Sequence, residues 1–516
     1  MKFTSILAAG LVGAMFFGSC STKPEQENRL VILHTNDTHS QIDPLPDGLG
    51  GVKRRKAVID SVRAAEKNVL LVDAGDAVQG TLYFYLYGGK VEQEIMNILG
   101  VDTRILGNHE FDNGIDSLAA VLSLSDANKI STNYNLDNTP LAGQFEPYVI
   151  KEYGGKRIGI IGINLDPTGI ITKGNYEGLE FLPIVATANL TAEKLRKDEG
   201  VDAVIALSHI GYNPKGLVGD SVLATNSRGI DIIIGGHSHD TIDPATEQGA
   251  RRSRLRNLDG EEVLVVQTGK SGRRIGKIEI NLDSLGMGGR PSYSLIPVGS
   301  RYDNYKDEAL AKALSPYTAG VDSLMHLWVG ESPKAFEAED TELLNYFTDF
   351  IYESGSKLAP GVDLAIANKG GLRADIPAGK FSKGHIINMV PFANYINVID
   401  VKGRDLLDVF DVMAMTDGNG VSRNVAVKYS KDDDGDEAEA EEVLVDGRRI
   451  DPDRTYRVAT IDYLAKGGDY MSGLTRGKLV AASKVPVYDS LLEYLSENQG
   501  RPIGGDAKPR WTLVED

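Results

Sequence analysis

The chain has 516 residues, 41% hydrophobic and 25% charged, a globular balance with length for roughly two to four domains. A net charge of −18 argues against a nucleic-acid polymer as partner. The one cysteine, Cys20, excludes an intrachain disulfide.

At the N-terminus, "MKFTSILAAGLVGAMFFGSC" places a lysine before an apolar run from Ile6 to Gly18. These 13 residues are too few for a spanning helix, which needs ~20. They read as a signal peptide over residues 1–19. "FGSC" resembles a bacterial lipobox, which makes Cys20 the expected lipidated residue and 20–28 a polar tether. The expectation is an exported lipoprotein, periplasmic or held at the outer membrane by that anchor.

Five short apolar runs follow, each ending in a polar cluster. "RLVILH" leads to "TNDTHS" (35–40), "NVLLVD" to "AGD" (74–76) and "VDTRIL" to "GNHEFD" (107–112). "VDAVIAL" leads to "SHIG" (208–211), and "GIDIIIG" to "GHSH" (236–239). The runs are β-branched or leucine-rich and bounded by Gly, Asn or Asp, as buried strands are. Helical patterns such as 52–67 and 116–127 alternate with them, so the expected class is mixed α/β. Each cluster then sits at the C-terminal end of a strand, where layered α/β folds gather their sites.

Five of the eight histidines lie in these clusters: His39, His109, His209, His237 and His239. With Asp37, Asp76 and Asn108 they make an oxygen and nitrogen donor set too large for one ion. Two metal ions sharing one carboxylate would use it fully. Asn108 then lends a carbonyl oxygen, and His109 and Asp112 remain for chemistry. Glu110 is read as a supporting residue, His34 as a packed strand residue, and His326 and His385 as surface or core.

In order and spacing the clusters resemble those of the calcineurin-like metallophosphoesterases. "LHTNDTHS" and "GNHEFDNG" are similar, more narrowly, to the 5'-nucleotidase family, which includes bacterial UDP-sugar hydrolases. The resemblance implies a layered αββα sandwich over 29–300, a connector with helical pieces over 301–335 and a C-terminal α/β substrate-binding domain over 336–516. It implies one divalent ion on Asp37, His39, Asp76 and His239, and another on Asp76, Asn108, His209 and His237. Zinc is the first expectation, with manganese or cobalt as alternatives. His239 stands where relatives often carry Gln or Asn. His109 and Asp112 become a catalytic dyad: Asp112 supports a charged imidazole, and His109 stabilises or protonates the departing ester oxygen. The implied reaction is in-line attack on phosphorus by a hydroxide generated at the metals.

The second half carries three further clusters. "ANKGGLRADIP" supplies Asn368 and Arg373, "MVPFANY" supplies Phe392, and "DYLAKGGDY" supplies Tyr463 and Asp469. By the resemblance these hold substrate: Phe392 and Tyr463 stack a base, and Asp469 accepts from ribose hydroxyls. An arginine that relatives often have is missing from "KAFEAEDTELLNYFTDF", which throws more of the phosphate grip onto Arg373. Residues 301–328 read as helical pieces broken at Pro316. The acidic run 431–442 reads as a solvated hairpin loop. Asp432, Asp434 and Asp436 alternate as in a calcium loop, but the closing glutamate and flanking helices are absent.

The expected activity is removal of phosphate from nucleoside 5'-monophosphates. UDP-sugar or dinucleotide pyrophosphatase and 2',3'-cyclic nucleotide phosphodiesterase activities are the rivals on the same scaffold. A surface protein that binds nucleotides without turnover is the rival of another class.

Overall fold

The computed structural model describes residues 28–285, 289–432, 437–498 and 503–514. Cys20, the signal peptide, nearly all of the tether, Asp434 and Asp436 lie outside them.

All five apolar runs form strands, and a sixth joins them. In the first sheet, β1 (Arg29–Thr35), β2 (Asn68–Asp73) and β3 (Thr103–Arg104) run parallel, with Arg274–Asn281 antiparallel to β1. In the second, β4 (Ala203–His209), β5 (Ile232–Ile234) and β6 (Glu262–Val266) run parallel, extended by Lys156–Asn164 beside β4. Parallel strands point their C-terminal ends to one edge, so the polar clusters gather there.

The period of two in a strand explains why these runs are apolar throughout. Leu30 and Ile32 of β1 meet Ile205 and Leu207 of β4 in a core between the sheets. Val204, Ala206 and Ile233 turn the other way, under the helix Ile184–Lys197. Val31, Leu33 and Leu71 face outward under the helices Val52–Ala65 and Lys90–Leu99. The order is helix, sheet, sheet, helix: the expected αββα sandwich. Full burial of each such aliphatic contributes about 1.5–3 kcal/mol.

The outer core of the first sheet runs on without a break into the second half of the chain. The helix α1 (Glu308–Met325) lies at that junction, with Tyr87 donating to the carbonyl of Tyr317 at 2.9 Å. Here the sequence reading needs correction, because α1 passes through Pro316 unbroken. Pro316 and Lys312 lie on the exposed side, where water can satisfy the carbonyl that a proline cannot serve. Leu310 and Val321 are buried on the opposite side.

Beyond α1 a five-stranded mixed sheet packs under the helix Thr341–Leu358. The acidic run is also shorter as a loop than expected. Ala438–Val445 is already a strand, paired antiparallel with Val425–Lys431. Glu439 and Glu441 alternate outward while Ala438 is buried, a strand pattern that the charge density hides.

Candidate active site

The turns that carry the candidate ligands are strained. Asp37, His39, Asp76, His237 and His239 all hold positive φ, from 47° to 75°. Non-glycine residues rarely accept this conformation, and where they do it is imposed by surrounding structure. The effect is to turn successive side chains inward from the strand ends. Glycines make room for them. A Cβ on Gly107 would lie 2.1 Å from Asp76 Oδ1, and one on Gly236 would lie 2.9 Å from His209 Nδ1.

The side chains converge as three overlapping groups whose donor atoms lie within 4.8 Å of one another: Asp37, His39 and His239; Asp76, His209 and His237; and His39, Asp76 and His109. Asp76 belongs to two of these, as a bridging ligand would. Asn108 Oδ1 joins the second, 2.8 Å from His237 Nδ1. His39 Nε2 and His239 Nε2 face each other at 3.0 Å.

His209 tests whether a cation fits. Its Nδ1 lies 2.7 Å from the carbonyl of Ala74, which can only accept, so the proton is on Nδ1. Nε2 faces Asp76 Oδ2, 3.1 Å away, fully buried and without hydrogen-bond geometry, and offers its lone pair once any proton it holds is displaced. A divalent cation between them satisfies both. The local potential agrees. Burial alone would lower the His209 pKa, but Asp76 and Asp37 outweigh it and lift it to about 10. The same carboxylate charge attracts a metal. His237, by contrast, is pushed down to about 4 by burial and by His209, so its imidazole stays neutral and able to ligate.

His109 stands beside the cluster, its Nδ1 3.0 Å from Asp112 Oδ2 and its N–H donating to Asp76 Oδ1 at 2.9 Å. Burial would lower its pKa, but Asp112 and Asp76 more than compensate and raise it. The imidazole is therefore biased toward its charged, proton-donating form. The other histidines are as read: His34 is buried and stacked on Tyr293, His326 is exposed, and His385 caps a helix with Ser382.

Glu110 was read as a supporting residue, but Asn36 and Arg104, which also support the site, escaped the sequence reading. Asn36 accepts from Thr268 N–H at 3.0 Å and donates to Asp37 Oδ2 at 2.6 Å, fixing that carboxylate. Arg104 is fully buried and pairs with Glu110 at 3.1 Å. Glu110 in turn accepts from the N–H groups of Asp76, Ala77 and Gly107 at 3.1, 3.0 and 2.7 Å. One carboxylate thus ties the Asp76 turn to the Asn108 turn. An arginine inside an apolar strand just before the cluster was the available signal.

The residues from the second half reach the same place. Arg373 Nη2 lies 3.3 Å from His39 Nε2. The Phe392 ring is 5.7 Å from that of His109, with the Arg373 guanidinium 5.9 Å from the Phe392 ring centre. Tyr463 Oη lies 2.8 Å from Asp469 Oδ1 and 3.1 Å from the carbonyl of Ile170. Asn368 donates to Asp469 Oδ2 at 2.7 Å. Both carboxylate oxygens of Asp469 already have protein partners, and each keeps a lone pair for a further donor. Asp469 and Tyr470 also hold positive φ, 51° and 61°.

Comparison with known proteins agrees with this arrangement. Residues 30–241 match the family model for calcineurin-like phosphoesterases, and residues 328–476 match that for the 5'-nucleotidase C-terminal domain. An apyrase from Tabanus yao is 28% identical, with 94% of each chain covered. A trifunctional nucleotide phosphoesterase, YfkN of Bacillus subtilis, is 26% identical over 94% of this chain, which spans only 36% of that longer protein. The crystal structure of a 5'-nucleotidase precursor from Thermus thermophilus superposes with a TM-score of 0.83 at 29% identity, covering 95% of this chain and all of that one. On the two domains in this order and the whole-length likeness, the chain belongs to the 5'-nucleotidase family of metal-dependent phosphoric ester hydrolases.

Proposed function

We propose that the chain removes phosphate from nucleoside 5'-monophosphates by in-line displacement at phosphorus, at a site of two divalent ions. The observation that supports this reading is the convergence of seven oxygen and nitrogen donors with the His109–Asp112 pair and with Arg373, Phe392, Tyr463 and Asp469. Asp37, His39, Asp76 and His239 would hold one ion, and Asp76, Asn108, His209 and His237 the other. Zinc suits this imidazole-rich set, and manganese or cobalt suit its oxygens. When bound, the ions supply Lewis acidity and neutralise phosphoryl charge. The chain's own residues do the rest. His109 gives a proton to the departing ribose oxygen, and Asp112 holds the imidazole in position and stabilises its charge. Arg373 binds phosphoryl oxygens, Phe392 and Tyr463 present ring faces to the base, and Asn368 and Asp469 meet the sugar hydroxyls.

Relatives are named apyrase and trifunctional nucleotide phosphoesterase, so the test spans substrate forms. Phosphate release is to be measured on nucleoside mono-, di- and triphosphates, 2',3'-cyclic nucleotides and UDP-sugars. Monophosphates are expected to give the highest kcat/KM. Chelation should abolish turnover on all of them, and zinc, manganese or cobalt should restore it. Undiminished activity after complete metal removal would sink the two-ion reading. A preference for UDP-sugars or cyclic nucleotides would replace the proposed substrate.

We also propose export and tethering through a lipid on Cys20. Among the described residues no helix is long and apolar enough to cross a membrane. In a bacterial host, Cys20→Ser should move the protein from the membrane fraction to the soluble fraction without changing kcat. Membrane retention of the variant would require another anchor.

A further inference from the structure

The strand β6 ends at Val266, and the next residue, Gln267, is fully buried beside the turns that follow β4 and β5. A buried primary amide has two donor hydrogens and an acceptor to satisfy. Gln267 Nε2 donates to Asp220 Oδ2 at 3.0 Å and to the Gly236 carbonyl at 3.2 Å. Its Oε1 lies 3.2 Å from Ser238 Oγ. Asp220 is also fully buried, and its other oxygen accepts from Ser208 Oγ at 2.6 Å. Ser208 precedes His209, Gly236 precedes His237, and Ser238 separates His237 from His239. One amide thus reaches the neighbours of His237 and His239 directly, and the neighbour of His209 through Asp220.

The contact leaves no slack. A Cβ on Gly235 would lie 1.9 Å from Asp220 Oδ2 and 2.8 Å from Gln267 Nε2, so only glycine lets the end of β5 pass this close. The two turns also meet each other. Gly211 N–H donates to the Gly236 carbonyl at 3.2 Å, and Tyr212 N–H to Ser238 Oγ at 3.0 Å. Among the described residues neither Gln267 nor Asp220 hydrogen-bonds to the side chain of a candidate ligand, so the pair acts through the backbone that carries them. The two proposed ions depend on this backbone unequally. One takes both His209 and His237 from it. The other takes only His239, while Asp37, His39 and Asp76 follow strands of the first sheet.

We infer that Gln267 and Asp220 are positioning residues that set the spacing of His209 and His237, and that they govern the affinity of the ion on Asp76, Asn108, His209 and His237 more than that of its neighbour. This rests on the two-ion reading above. A site binds a metal tightly when its donors are already in place, and the partners that orient them are worth about 10–100-fold in affinity. On the first sheet Glu110 does the matching task, joining the turns of Asp76 and Asn108. Gln267 and Asp220 do it on the second sheet, with an amide and a carboxylate in place of a carboxylate and backbone donors.

The test measures zinc affinity of the full chain by competition with a chromogenic chelator, and the visible absorption of the cobalt-loaded form. Gln267→Leu removes the amide and leaves Asp220 and the Gly236 carbonyl each one donor short. It should weaken one ion about tenfold or more and leave the other within about threefold of wild type. The ion lost should be the one that Asn108→Ala loses, so the remaining cobalt should give the same spectrum in both variants. Gln267→Glu sets two carboxylates face to face and should weaken the same ion. Adding Asp220→Asn to Gln267→Glu restores a donor and an acceptor across the contact, with their roles exchanged, and should recover most of the lost affinity. That recovery is decisive even if Gln267→Leu does not fold, because a residue needed only to fill space gains nothing from the exchange. Zinc affinities in Gln267→Leu that match wild type at both sites would overturn the inference. So would equal losses at both, or a Gln267→Glu defect that Asp220→Asn leaves unrepaired. A wild-type chain that saturates with a single ion would fail the two-ion reading instead, and the exchange would still decide whether Gln267 and Asp220 position that ion's ligands.

Discussion

Replacing His109 by alanine is expected to lower kcat on a nucleoside monophosphate by ~10² or more while metal content stays at the wild-type level. The two halves of that expectation come from different contacts. The imidazole is tied by Nδ1 to Asp112, and its charged form is favoured by Asp112 and Asp76. Its loss removes a proton donor beside the reacting group, with KM little affected. The backbone N–H to Asp76 Oδ1 survives the substitution, so the shared carboxylate keeps its orientation. Asn108→Ala is the contrasting variant. It deletes the carbonyl oxygen beside His237 Nδ1 and should lower metal occupancy first, with activity following. Asp112→Asn should fall between wild type and His109→Ala, since the ring keeps its place but loses the carboxylate that favours its charge. Metal analysis of the purified variants separates the roles. Loss of an ion from His109→Ala with none from Asn108→Ala would reverse them.

The parts of this site that were readable in the sequence share one physical cause. A strand buried on both faces must be apolar from end to end, so the polar group that follows it stands out. That contrast marks Asp37, Asp76, Asn108, His209 and His237 without any knowledge of the fold. The backbone strain at these turns was not readable, because Asp and His carry no sign of positive φ as glycine does. Arg104 left a signal that was passed over: alone in the apolar "VDTRIL" it looks like a strand ending, and only the buried Glu110 opposite explains it. Pro316 misled because local rules weigh the lost hydrogen bond and cannot see that the exposed side of α1 leaves the orphaned carbonyl to water. The acidic run misled because its charge masked an alternation in which Ala438 points inward. In the second half, Asn368, Phe392 and Tyr463 sit in stretches of common composition. Resemblance alone picked them out, and only the folded chain shows Phe392 beside His109 and Asp469 held by Tyr463 and Asn368.

Glu110→Ala is expected to cost about 3–5 kcal/mol of stability and to empty the metal site in the same step. The carboxylate does two jobs that the variant undoes together. It neutralises Arg104, which is fully buried and whose other polar contacts include Gln93 at 2.7 Å. Without Glu110 that guanidinium loses its ion-pair partner among the described residues, leaving only the charge of the neighbouring Asp73 to offset it. It also accepts three backbone N–H groups, those of Asp76, Ala77 and Gly107. These donors belong to the two turns that present Asp76 and Asn108, so their release loosens both proposed ion sites at once. Burial and the nearby Asp76 charge raise the Glu110 pKa even in the presence of Arg104. The carboxylate is therefore kept here against a real tendency to neutralise, which fits a positioning role. Two further variants separate charge from backbone support. Glu110→Gln keeps an acceptor for the turns but strands Arg104. Arg104→Met combined with Glu110→Gln removes the stranded charge and should recover part of the lost stability without restoring full metal affinity. The measurements are thermal melting with and without added zinc, and metal content after dialysis. If Glu110→Ala melts within about 1 °C of wild type, a shift worth roughly 1 kcal/mol in a chain of this length, and keeps its metals, the clamp does not hold the site together.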